Sequence, residues 1–126
     1  MTDYLRSIVS AIGPDVADLL EGGVLILFGD GAPPELAEVS VLHKVTFAGA
    51  EAPKPGVRLA LGDLEAEITG IGPLAWAKIC DIGHVVISFN GKDNPDRPGE
   101  LSAERVEPEA LLAALTPGAS LRIFQG

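Results

Sequence analysis

The sequence predicts a mainly β fold, a small barrel or sandwich of about six or seven short strands with short connecting helices. Runs of strand length rich in Val, Ile and Leu recur between glycine and proline breaks. The helical segments are few, short and mostly led by proline. Strands and helices also fail to alternate regularly, which argues against a doubly wound sheet and for a small β structure with helical connections.

Taken in order, Tyr4 to Ile12 reads as the first strand, broken by Gly13-Pro14, with a helical segment over Asp15 to Leu20 ended by Gly22-Gly23. Val24 to Phe28 is a continuous apolar run of strand length. The Gly29-Asp30-Gly31 turn leads to Pro33-Pro34 and a short helix through Glu38. The next strand carries His43. With period 2, Val39, Val41, Val45 and Phe47 share its face, while Ser40, Leu42, Lys44 and Thr46 take the other. After the GAEAPKPG loop, Val57 to Leu61 alternates cleanly, Gly62-Asp63 forms a two-residue hairpin turn, and Leu64 to Ile71 returns as its partner. Pro73 to Ile82 is the best helix, with Ala75, Ile79 and Ile82 along one face and Gly83 closing it. His84 to Asn90 is a strand, NGKDNPDRPGE a polar loop, and Leu101 to Val106 a weaker strand. Pro108 to Leu115 is a short helix and Ser120 to Phe124 the last strand. The Pro-Gly turn plus strand occurs at Pro55 and again at Pro117, and reads as reused turn chemistry.

At 126 residues the chain, 1–126, suits one domain with a core of its own. Only six residues are aromatic within a 47% hydrophobic content, which disfavours stacking platforms for nucleic-acid bases. A formal charge of −9 repels phosphate backbones and anionic membrane surfaces, so neither nucleic acid nor direct membrane insertion is expected. The single cysteine, the absence of a signal-peptide pattern and the lack of a long apolar run make a cytoplasmic protein the expectation.

The chemistry centres on His43, an imidazole on an apolar strand face. Two readings stand at this point: a core residue satisfied by a backbone carbonyl, or a residue at the mouth of a β structure with its ring near solvent. A neutral ring nitrogen near physiological pH suits covalent phosphoryl transfer. Such a site needs donors for the phosphoryl oxygens. Lys44 points to the opposite face, and the amides opening the Pro33-led helix are candidates weakened by two prolines and by Glu35. Cys80, beside apolar residues, reads as a buried structural thiol. His84, directly after Gly83, shares its face with Ser88 and Asn90 and reads as a turn histidine. The two histidines have no metal-ligand spacing, so neither a metal nor a cofactor is expected. The Gly29-Asp30-Gly31 turn lacks the lysine of a phosphate loop.

The run FGDGAPPELAEVSVLHK, followed by PGVRLALGDLEAEITGIG, DIGHVVISFNG and PGEL, resembles the glucitol/sorbitol-specific IIA component of the bacterial phosphoenolpyruvate:sugar phosphotransferase system, collinearly over almost the whole chain. The resemblance implies a small closed β-barrel and, with the period-2 face, the expectation that His43 lies on a strand with its ring near the surface at one end of the barrel. It implies a cytoplasmic phosphocarrier, a phosphotransferase component that accepts a phosphoryl group from the histidine phosphocarrier HPr and passes it to the IIB component through a phosphohistidine at His43. His84 matches the family's GH motif and is expected as a supporting partner of the acceptor. Asp30, Glu35 and Glu38 are expected on the surface that receives a basic-rimmed carrier. A regulatory or small-ligand binding module that keeps this fold without phosphoryl transfer is the alternative.

Overall fold

The computed structural model describes residues 2–125. Period-2 burial runs along β1 (Thr2–Ile12), which turns Leu5, Ser7 and Val9 inward. Gly13-Pro14 ends it, and α1 (Val16–Glu21), β2 (Val24–Gly29), α2 (Pro34–Ala37) and β3 (Val41–Ala48) follow. β4 (Arg58–Leu61) and β5 (Leu64–Ile71) form the expected hairpin, with Leu61 opposite Leu64 and Gly62 at φ 58° in the tight turn. Then come α3 (Ala75–Ile82), β6 (Val85–Ser88), β7 (Glu100–Ala103), α4 (Pro108–Ala114) and β8 (Ser120–Gln125).

The strands close into one barrel in the order β1-β3-β2-β6-β7-β5-β4-β8. Closure removes free sheet edges and encloses an aliphatic core. The fold is the mainly β barrel expected, with eight strands against about six or seven, since the weakly patterned segment at Leu101 is a full member as β7. The pairs β2/β3 and β6/β7 are parallel, and the other neighbours are antiparallel. On α3 the buried face is Ala75, Trp76 and Ile79, and Ile82 is 46% exposed rather than part of the packed stripe. Trp76 draws the helix inward by donating its Nε1–H to the Gly49 carbonyl at 2.8 Å. Among the described residues no helix is long and apolar enough to cross a membrane.

The barrel is built twice. The pairing within β8-β1-α1-β2-α2-β3 repeats within β4-β5-α3-β6-β7. Ser7 opposes Leu121 as Ala66 opposes Leu59, and Val9 opposes His43 as Ile68 opposes Ala103. A register shift follows Val9 in β1 and Ile68 in β5. Gly118 N–H donates to the Val9 carbonyl at 2.7 Å, matching Gly56 N–H to Ile68 at 2.8 Å. Gly13 N–H donates to Ser40 at 3.0 Å, matching Gly72 N–H to Glu100 at 2.8 Å. The two Pro-Gly turns are therefore corresponding parts of a repeated unit rather than reused turn chemistry alone. The repeat escapes sequence inspection because little beyond Ile-Gly-Pro and Pro-Gly is shared between the halves.

Candidate functional site around His43

His43 lies mid-sheet, opposite Val9 of β1 on one side and in register with Gly29 of β2 on the other. Its ring points inward and is 1% exposed. Both nitrogens are engaged: Nδ1 is 2.8 Å from Ser7 Oγ, and Nε2 is 2.7 Å from the Gly83 carbonyl. A carbonyl only accepts, so Nε2 carries the proton and the Ser7 hydroxyl donates to Nδ1. Burial lowers the pKa of His43 from its ordinary value of 6.5, partly opposed by the bond to Gly83 and by the charge of Asp30. The ring is thus held neutral. Of the two sequence readings the geometry takes the first: the ring is covered, not near the surface at a barrel mouth, and a backbone carbonyl satisfies it.

Two glycines make that contact. A Cβ on Gly29 would stand 2.6 Å from the Ile82 carbonyl, so only glycine lets the end of α3 settle on β2. Gly83 caps α3 with φ 68°, the left-handed conformation that ends helices, and turns its carbonyl onto the ring. A Cβ there would meet the Gly29 backbone at 3.1 Å and His43 Nε2 at 3.3 Å. Over this junction lies a cleft of about 280 Å³, whose lining includes Asp30, His43, Lys44, Cys80, Asp81 and Ile82. Ser7 is not in that lining, so Nε2 is the nitrogen on the cleft side.

The expected site residues separate here. Asp30 lines the cleft and accepts a hydrogen bond from the Ser10 hydroxyl. Glu35 on α2 and Glu38 at its C-terminal cap are exposed and do not line it. The α2 amides offer little, since Leu36 and Ala37 donate to the Pro33 carbonyl and Pro33 and Pro34 have no N–H. Among the described residues Lys44 is the only cation in the cleft lining. Cys80 is exposed at the cleft rather than buried, because it sits one position past Ile79, at the edge of the packed face of α3. His84 does not hydrogen-bond His43. Its Nδ1–H donates to the Leu27 carbonyl at 3.0 Å, its ring lies 4.7 Å from Phe28, and it borders a different cleft. The two histidines are linked through the Gly83–His84 peptide and through β2, whose Leu27 carbonyl holds His84 and whose Gly29 lies in register with His43.

Ser7, Gly29 and Gly83 are site residues that sequence reasoning missed. The signal for Ser7 was a hydroxyl on the Leu5-Ser7-Val9 face. For the glycines it was their places just before Asp30 and His84, read as ordinary turn and cap positions.

A family model described as the PTS system glucitol/sorbitol-specific IIA component matches residues 4–120. The chain is 28% identical over 123 residues to proteins named PTS system glucitol/sorbitol-specific EIIA component from Shigella flexneri and from Escherichia coli K12, spanning 97% of this chain and 95% of each relative. The crystal structure of a PTS system IIA component from Enterococcus faecalis V583 matches with a TM-score of 0.74 at 21% identity, over 94% of this chain and 98% of that one. That likeness is one of fold.

Proposed function

Because the chain belongs to the glucitol/sorbitol-specific IIA component family of the phosphotransferase system, whose members act as phosphocarriers in sugar uptake, we propose that His43 carries the phosphoryl group. It takes the group from HPr and gives it to the IIB component, in the cytoplasm. The observation that carries this reading is a neutral imidazole fixed at both nitrogens beneath a cleft, between Ser7 and Gly83.

In the resting arrangement the Nε2 proton is held by the Gly83 carbonyl. Attack from the cleft side requires the Ile82–Gly83 turn to withdraw and the ring to change tautomer. Ser7 accommodates that change, since a hydroxyl donates to bare Nδ1 and accepts from Nδ1–H equally well. The Nε2 lone pair then forms the new N–P bond as the N–P bond to the donor's phosphohistidine breaks, and the donor's imidazole leaves with that electron pair. Lys44 offsets charge on the phosphoryl oxygens, while Asp30 and Asp81 raise the energy of the charged intermediate and favour its onward transfer. His84 supports the reaction through the backbone it shares with Gly83. Asp30, Glu35 and Glu38 form part of the receiving surface.

The test is incubation with enzyme I, HPr and phosphoenolpyruvate, followed by intact mass and site mapping. The phosphate should map to His43 and disappear in His43→Gln, and His84→Gln should slow the reaction without moving the site. Mapping to His84 or Cys80 would overturn the assignment, and no incorporation at all would return the chain to the binding-module reading.

A further inference from the structure

On the far side of the Gly83–His84 peptide lies a cleft of about 270 Å³ between α3 and the segment 97–100, with Lys78, His84, Arg97 and Glu100 in its lining. In a chain of formal charge −9 this is a local excess of positive charge, two cations against one carboxylate, beside an imidazole. Among the described residues neither the Lys78 nor the Arg97 side chain has an ion-pair or hydrogen-bond partner. His84 is fixed by its bond to Leu27, which makes Nδ1 the protonated nitrogen and leaves Nε2 unpartnered. The cleft wall is preformed: Leu74 N–H donates to the Pro98 carbonyl and Gly72 N–H to the Glu100 carbonyl, both at 2.8 Å. Gly99 carries the Lys78 side chain so closely that a Cβ there would meet Nζ at 3.1 Å.

The duplicated fold gives an internal comparison. Gly83 corresponds to Gly23, both with left-handed φ, so His84 corresponds to Val24. The Pro98 carbonyl bonds Leu74 N–H as the Glu38 carbonyl bonds Asp15 N–H, so Arg97 corresponds to Ala37. The same framework closes in the other half with Val24 and Ala37, hence neither His84 nor Arg97 is required to build it. We propose that this cleft binds the phosphate group of a small phosphate monoester, gripped by Lys78 and Arg97, with bare Nε2 of His84 accepting a hydrogen bond from a hydroxyl of the ligand.

The experiment is a titration of the ¹⁵N-labelled full chain with glycerol 3-phosphate, and separately with inorganic phosphate, at ~0.15 M salt where loose surface pairing is screened. The expected result is a saturable shift of the His84 ring and the Arg97 and Gly99 amides. Affinity should be at least about tenfold weaker in Arg97→Ala and in Lys78→Ala. Both positions are exposed, so the variants should keep the wild-type spectrum elsewhere. Equal binding of inorganic phosphate would make the free anion the ligand of the same site, whereas preference for glycerol 3-phosphate would make it the monoester. No saturable shift, shifts centred on His43, or unchanged affinity in both variants would overturn the proposal.

Discussion

Gly29→Ala tests the junction that holds the His43 ring. Gly29 has no left-handed backbone requirement, so the added methyl acts through space alone. Its Cβ would stand 2.6 Å from the Ile82 carbonyl, which must retreat by about 0.8 Å to reach ordinary contact at 3.4 Å. If Gly83 moves with Ile82, its carbonyl passes from 2.7 Å to roughly 3.5 Å from Nε2, beyond a useful N–H···O bond. Leaving a buried ring N–H and a carbonyl unpaired costs about 1–3 kcal/mol, and residual overpacking adds about 1–3 kcal/mol. Urea denaturation should therefore give a loss of roughly 2–6 kcal/mol, and the ring Nε2–H signal in ¹H–¹⁵N spectra should shift or vanish by exchange. Because the turn must withdraw for transfer, phosphorylation should proceed at the wild-type rate or faster in the folded fraction. Stability within ~0.5 kcal/mol of wild type, with the ring signal unmoved, would refute the claim that glycine at 29 positions Gly83.

Ser7→Ala removes the donor to Nδ1 inside the barrel and should cost about 1–3 kcal/mol. It should also slow phosphorylation, and ring ¹⁵N shifts should report a changed tautomer balance. The lowered pKa of His43 means that below about pH 6.5 the unfolded chain takes up a proton that the folded chain refuses. Stability should fall on acidification from pH 6.5 toward the folded-state pKa, by at most about 1.4 kcal/mol per pH unit. Denaturation of wild type and His43→Gln at several pH values isolates this contribution, which should be absent in the variant. Joint neutralisation of Asp30, Glu35 and Glu38 should slow association with HPr at low salt, read by stopped flow, and the difference should shrink as salt rises.

Local chemistry was legible in the sequence and long-range contact was not. Leu64–Ile71 came out with the bounds expected, and the Gly62-Asp63 hairpin and the Gly83 cap followed from turn and cap rules that span a few residues. Period 2 gave the correct face for His43. It could not say what covers that face, because Ser7 lies 36 residues away and Gly83 lies 40. The same limit explains Cys80. Its apolar neighbours suggested burial, but the orientation of α3 is set by Trp76 reaching the Gly49 carbonyl, which leaves the thiol at the cleft. The resemblance and the net acidity put Asp30, Glu35 and Glu38 on one receiving surface, within which the backbone carries Asp30 to the cleft, Glu35 onto the open face of α2 and Glu38 to its C-terminal cap.

The two halves of the barrel separate what the fold needs from what the site needs. Ser7 corresponds to Ala66 and His43 to Ala103, so the second half fills the same inward positions with methyl groups and closes just as fully. A polar pair in one half that has an apolar counterpart in the other is not a requirement of barrel closure. Burying a serine and a histidine costs desolvation that only their mutual bond and the Gly83 carbonyl offset. The glycines tell the same story. Gly23 and Gly83 both take left-handed φ at the helix ends, as the shared topology demands. Gly29 instead corresponds to Phe89, whose N–H donates to the Gly23 carbonyl at 2.8 Å. In the half that holds His43, the carbonyl corresponding to that of Gly23 receives the imidazole instead of a strand amide. The site therefore arises where one backbone acceptor of a duplicated frame has been turned over to a side chain, and glycine at 29 is the vacancy that makes the exchange fit.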